Sequence, residues 1–208
     1  MMYDEDYFYE LADKTFDYLA TIISKKFTEL KSRLAVFDEL NVLNAYNEVN
    51  QTYGELKDIT YERYLDLAMA QYERMRVNND MSFEGKVEQW LYQIFTEVDD
   101  VTRYSYENEL ERKRQRTAEG VIAGGDINAF IDTSMRLYTR MVNQETLTIA
   151  DKAARQAMID DGMNRARWIT QKDGKVCDIC RKRNDKRYSI YDIPPKPHIG
   201  CRCIIVPD

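Results

Sequence analysis

Histidine is almost missing from this chain: His198 is the only one in 208 residues. A single histidine excludes an HNH nuclease centre and the H-E-x-x-H zinc-protease helix. Zinc deaminase chemistry is excluded as well, since neither H-x-E nor P-C-x-x-C is present. Long apolar runs are missing too. None approaches the roughly 18 residues of a membrane span, so no membrane association is expected. Met1 opens onto the acidic stretch Tyr3-Asp4-Glu5-Asp6, with neither a basic n-region nor an apolar h-region. We therefore expect no secretory signal and a reducing compartment in which cysteines remain thiols. The Gly124-Gly125 pair lacks the spacing and the preceding strand of a phosphate loop, and reads as punctuation. No internal repeat or low-complexity segment occurs.

What is scarce elsewhere is concentrated at one end. All four cysteines, the histidine and all four prolines (Pro194, Pro195, Pro197, Pro207) lie in the last forty or so residues. The spacing is C-x2-C, then 17 residues, then H-x2-C-x-C. Two pairs of soft donors, each closed by a tight turn, suit a tetrahedral zinc ion. Five candidates, Cys177, Cys180, His198, Cys201 and Cys203, compete for four positions. An extended chain at 201–203 would send Cys201 and Cys203 to opposite faces, leaving one of them as packing. Two disulfides, in any of three connectivities, and plain buried residues are the competing readings.

Charge is divided along the chain. Residues 164–208 carry 11 Lys and Arg against 5 Asp and Glu (+6), leaving 19 against 31 (−12) in residues 1–163. An acidic body joined to a basic tail suggests two surfaces with different partners, or simply a small subdomain wearing lysine and arginine for solubility. Fifteen tyrosines and seven phenylalanines are a large aromatic supply; at helical spacing such residues are usually core or helix–helix interface, and a surplus would mark a protein–protein surface rather than a cofactor box.

The body reads as helices. Phe8, Ala12, Phe16, Leu19, Ile23, Phe27, Leu30 and Leu34 recur at steps of 4, 4, 3, 4, 4, 3 and 4, keeping one face apolar. A helix over 4–34 would run about 45 Å. Near Asp38 the stripe either continues with amides at Asn41, Asn44, Asn47 and Asn50, or turns into a second helix. Gly54 should end what precedes it. A further helix follows to Val77, carrying Tyr61, Tyr64, Ala68, Tyr72 and Met75, before a break at Asn78-Asn79-Asp80. Lys86–Asp99 is helical, burying Val87, Trp90, Leu91, Ile94, Phe95 and Val98. Its charged continuation ends in Arg112-Lys113-Arg114-Gln115-Arg116, read as a solvated face. Gly120, Gly124 and Gly125 form a joint, and Asp126 caps a helix bearing Ile127, Phe130, Ile131, Met135, Tyr138 and Met141. A last helix, Glu145–Asp161, buries Ile149, Ala153, Ala157 and Met158, with Gly162 as its C-terminal cap.

After Gly162 short strands replace helices. Arg167–Thr170 is a strand, Asp173-Gly174 a hairpin turn, and a return strand delivers Cys177. Tyr188–Tyr191 and Cys203–Val206 supply two more strands. The expected architecture is therefore mainly α. An elongated helical body over 1–163, jointed at 118–126, carries a small β-rich, zinc-knuckle-like C-terminal subdomain over 164–208.

The order of motifs in residues 143–208 resembles the phage Mu F-like, or phage head morphogenesis, proteins, minor capsid components of tailed bacteriophages. The elements carrying the resemblance are Glu145-Thr146, Ala150, Ala154, Gly162, Trp168, Thr170, Asp173, Val176, Cys177 and Cys180, then Pro195, Pro197, His198, Cys201, Arg202 and Cys203. Ile199 departs from the proline usual after the histidine, and Asn184-Asp185-Lys186 stands where an Asp-Gly turn is usual. The resemblance implies a structural, non-enzymatic protein without a small-molecule substrate. It would assemble in the host cytoplasm with the portal and other capsid or scaffold proteins, remain in the virion near the portal, and influence DNA packaging or ejection. The alternative reading is a zinc-stabilised nucleic-acid-binding module meeting packaged double-stranded DNA through Arg181, Lys182, Arg183, Lys186 and Arg187.

Overall fold

The computed structural model describes residues 5–35, 42–76, 83, 85–97, 105–170, 176–197 and 201–208, with 5–8 described by backbone alone. The protein is mainly helical, with a three-stranded antiparallel sheet near its C-terminus. Helices α1 (Glu5–Leu34), α2 (Val42–Met75), α3 (Val87–Thr96), α4 (Tyr106–Ile122) and α5 (Ile127–Asp160) precede strand β1 (Arg165–Ile169). Helix α6 (Asp178–Arg183) and strands β2 (Arg187–Ser189) and β3 (Ile204–Pro207) follow. The chain divides into two compact units.

One unit comprises Phe16–Arg63 and Gln89–Val142. The stripe read from the sequence of α1 is its core: Leu19, Ile23, Phe27, Leu30 and Leu34 are buried. They meet α2 and α5 through an aromatic triad. Ring centroids lie 5.8 Å apart for Phe27 and Tyr53, 5.4 Å for Tyr53 and Tyr138, and 6.0 Å for Phe27 and Tyr138. The buried Tyr53 hydroxyl would be costly without a partner. Its Oη lies 2.8 Å from Thr117 Oγ1, which is itself 3.0 Å from Ser134 Oγ. Helix α3 adds Leu91 and Phe95, and Phe95 stacks on Tyr106 at 4.5 Å.

The charged run of α4 is a solvated face held by its own acids. Lys113 pairs with Glu109 at 2.9 Å, Arg112 pairs with Glu109 and Arg114 with Glu111, while Arg116 is exposed. Arg114 also donates to Asn50 of α2. That contact gives one of the α2 amides a role that its spacing did not reveal.

The other unit gathers Met1–Thr15, Tyr64–Glu88 and Asn143–Asp208. Here Ala150, Ala153, Ala154, Ala157 and Met158 of α5 are wholly buried, the small side chains permitting close approach. Tyr72 stacks on Phe83 at 4.2 Å and donates to Asp160 Oδ2 at 2.6 Å, and Arg76 Nε bonds Asp161 Oδ1 at 3.1 Å. The end of α5 is thereby tied to α2.

Three readings of helix boundaries change. Helix α2 runs straight through Gly54, which is exposed. The roughly 1 kcal/mol that glycine costs a helix is outweighed by burial of Val49, Tyr53 and Leu56 around it. The two helices expected over 127–161 are one, because no proline or glycine interrupts the stripe between Asp126 and Gly162. Gly120 is no joint. It lies inside α4, where an added Cβ would come within 2.0 Å of the Phe130 ring. The turn proper uses Gly124 and Gly125, at φ 78° and 93°, and Asp126 Oδ1 accepts from Ala129 N at 3.0 Å as the cap of α5. The expected turn near Asp38, the Asn78-Asn79-Asp80 break, Val98 and the Phe8 side chain lie outside the described residues.

Two glycines of one protein should thus respond oppositely to alanine. Gly54→Ala, with open space where the methyl would go, should raise stability by about 0.5–1 kcal/mol. Gly120→Ala should lower it by about 1–3 kcal/mol through overpacking against Phe130. Urea denaturation of both variants beside the parent checks the pair.

Candidate metal centre

Helix α5 ends at Gly162, whose φ of 76° lets its N–H reach Ile159 O at 2.9 Å while Met163 N reaches Met158 O at 3.0 Å. This left-handed cap turns the chain into β1. The strand RARWI alternates: Ala166 and Trp168 point inward and are buried, whereas Arg165 and Arg167 point out. Strands are ordered β2-β1-β3, with Ala166 opposite Tyr188 and Trp168 opposite Ile205.

The C-x2-C segment opens a helix instead of arriving on a strand. Among the described residues Val176 and Cys177 are in no strand, and the Asp173-Gly174 turn lies outside them. Cys177 is the N-cap of α6: its Sγ accepts from Cys180 N at 3.4 Å, the sulfur doing what a serine oxygen does in an ordinary cap. Cys180 therefore faces inward one turn later. After α6, Asn184 Oδ1 accepts from both the amide and the hydroxyl of Thr170 at 2.9 Å. Asp185 takes φ 62°, filling the left-handed position that glycine occupies in an Asp-Gly turn.

Three thiols converge under this frame. The Sγ atoms of Cys180, Cys201 and Cys203 all lie within 4.8 Å of one another, and Cys180 and Cys201 are 3.5 Å apart. All three are buried, Cys177 is half-buried beside them, and none of the four forms a disulfide. Residues 201–203 precede β3 and are not strand, so Cys201 and Cys203 turn to the same side. The expectation that one of them faces away fails for that reason. His198 lies outside the described residues.

The sulfurs share protons unequally. A hydrogen bond from the Cys203 thiol lowers Cys201 to about 5, assisted by Cys180 and by the Lys196 ammonium. Burial pushes Cys180 up to about 12. Donating to Cys201, together with burial, raises Cys203. Hydrogen bonding within the cluster thus favours the thiolate at Cys201 over Cys180 and Cys203. A divalent soft metal would replace the remaining thiol protons, as thiolate ligation requires. Zinc–sulfur bonds of about 2.3 Å in a tetrahedron put sulfurs roughly 3.8 Å apart, inside the observed spread. Three of the four positions of a soft-metal site fit this donor set as it stands, and Cys177 is adjacent.

Around the cluster, Asp151 was not singled out from the sequence, and Arg202 was read only as part of the motif order, without a partner. Asp151, a carboxylate on the alanine face of α5, accepts from the backbone of Ile205 and faces Lys196 Nζ at 3.8 Å. A charge inside an otherwise alanine-spaced stripe was the readable signal. Arg202, between two of the clustered cysteines, lies 4.8 Å over the Tyr9 ring and donates to Asp13 Oδ2 at 3.1 Å. No local pattern could indicate that partner, 189 residues away.

The basic residues do not form one free cluster. Arg183 stacks over Trp168 at 5.0 Å and donates to Pro195 O at 2.7 Å. Arg181 pairs with Asp178 at 3.3 Å and Arg187 with Asp208 at 2.7 Å. Lys182 and Lys186 are exposed. Two more arginines join them from β1: Arg165, 3.7 Å from Asp208, and Arg167, 3.1 Å from Asp185 and opposite Arg187 in the sheet.

Residues 105–206 match the family described as Phage Mu protein F like protein. This segment, just under half of the chain, is similar to the phage Mu F-like head morphogenesis proteins, and the match supports that family. The match begins at Ser105, the residue that caps α4 by accepting from Asn108 N. It therefore takes in α4 and the whole of α5, some forty residues upstream of where the motif order alone begins. No curated protein and no solved structure matches the chain.

Replacing Arg202 by alanine removes one cation–π contact and one half-exposed ion pair, together about 1 kcal/mol. We expect faster amide hydrogen exchange over residues 9–15 in Arg202→Ala, with exchange in α4 unchanged.

Proposed function

We propose that this protein is a minor component of a tailed-phage head. It is built into the procapsid at the portal vertex in the host cytoplasm, is retained in the virion, and acts on DNA packaging or ejection. The observation that carries this reading is the family match over α4, α5 and the cysteine-bearing sheet. We assign it no catalytic step. Residues 164–208 serve as a zinc knuckle, the ion held by four of Cys177, Cys180, His198, Cys201 and Cys203. The ion would supply structure only, replacing shared protons with four fixed bonds in a tail too small for a large core.

The helical body is the surface that meets the portal protein. In support, six of the eight exposed large apolar side chains among the described residues (Tyr18, Val42, Leu43, Tyr92, Ile122 and Leu137) belong to the unit of 16–63 and 89–142. Exposed apolar residues gathered on one part of a chain favour an interface there. Nucleic-acid binding by the tail ranks second, because Arg181, Arg183 and Arg187 are already engaged within it.

Two measurements test the proposal. Elemental analysis of protein made without added metal should give about one zinc per chain, and Cys180→Ser should lose it; a zinc-free parent would leave the cysteines as packing. For the partner, full-length protein co-expressed with portal protein should co-purify with it. Tyr92→Glu with Leu137→Glu should abolish capture, and Ile179→Glu with Tyr191→Glu should spare it. The reverse result would assign the contact to the tail.

A further inference from the structure

The indole N–H of Trp168 is a buried donor that meets no acceptor in full hydrogen-bond geometry among the described residues. Trp168 is 1% exposed. Leaving such a group unpaired is costly, and buried tryptophans ordinarily find a partner. The ring is not free to turn toward one. Arg183 lies over its face and is itself anchored on Pro195 O, while Tyr188 closes one side with centroids 6.5 Å apart at 66°.

The indole packs in the same cluster as Cys180, Cys201 and Cys203. Its N–H faces Cys203 and favours the thiolate there, without reaching full hydrogen-bond geometry to the neutral thiol. The acceptor is the deficient party. A neutral thiol sulfur is a weak acceptor, whereas a thiolate bound to a cation accepts strongly and is oriented by such outer contacts.

We propose that Trp168 is a positioning residue for the metal centre, its indole N–H being the donor reserved for the metal-bound thiolate of Cys203. This rests on the metal reading above and deepens it. The bond would fix the Cys203 rotamer and spread the sulfur's charge. Removing an outer contact of this kind weakens metal binding by about 10–100-fold.

The test uses full-length protein with nitrogen-15 in its two tryptophans, Trp90 and Trp168, titrated with cadmium-113, cadmium uptake being measured separately by elemental analysis. In protein that has taken up cadmium, the Trp168 indole proton should move downfield and show scalar coupling to the metal across the hydrogen bond. The Trp90 signal should stay in place. A merely structural tryptophan would show no such coupling. Trp168→Phe should release cadmium to a competing chelator at about 10–100-fold lower chelator concentration. An unmoved, uncoupled Trp168 indole in cadmium-loaded protein overturns the proposal, and that readout does not depend on the variant folding. Unchanged retention by folded Trp168→Phe overturns it as well. A chain that takes up no cadmium fails at the earlier step, and the metal reading falls together with this one.

Discussion

Three sulfur atoms held within 4.8 Å of one another in a nearly dry core are the constraint on which the C-terminal fold depends. Two adjacent thiolates would repel, so the group must either share protons or hold a cation. The elements around it have little else to stand on. The strands are five, three and four residues long and helix α6 is six, too short to be stable without a common core. That core consists of Trp168, Ile190, Ile205, Met158 and the cysteines. Whatever settles the charge on the sulfurs therefore also settles whether α6, the sheet and the end of α5 stay together.

The helical unit solves a different problem. Its residues are rich in acid, and α4 carries a run of cations that could have been a ligand surface. Glu109, Glu111 and Asn50 absorb most of that run locally, at a cost in specificity but little in stability. The buried polar chain of Tyr53, Thr117 and Ser134 does the reverse. It contributes modest energy while allowing only one alignment of α2, α4 and α5. Packing of aromatic rings supplies the affinity between these helices, and the hydroxyls fix their register.

Helix faces were legible in the sequence wherever burial follows a period. The α1 stripe and the α5 alanines lie where their spacing puts them. Boundaries read from glycine were less secure, because glycine has more than one use. Gly162 ends a helix, Gly54 is tolerated in one, and Gly120 makes room for Phe130. In the tail, donor types and pairing could be read, but not the direction of Cys201 and Cys203, which depends on where β3 begins. The turn at Asp185 and the contact of Arg202 with Asp13 were illegible. The first replaces glycine with a residue that only tolerates the conformation, and the second joins segments that no local pattern relates.

That second contact bears on how the chain is made. The unit holding the cysteines is assembled from three separate stretches, one near each end and one from the middle. Tyr9 and Asp13 leave the ribosome almost 200 residues before their partner Arg202. Until then the opening turns of α1 have an incomplete neighbour, whereas the stretches 16–63 and 89–142 can close on each other as soon as α5 has begun. Completion of this unit therefore waits until Arg202 has been made, and it makes the order of residues 9–13 a reporter of whether that arginine has docked.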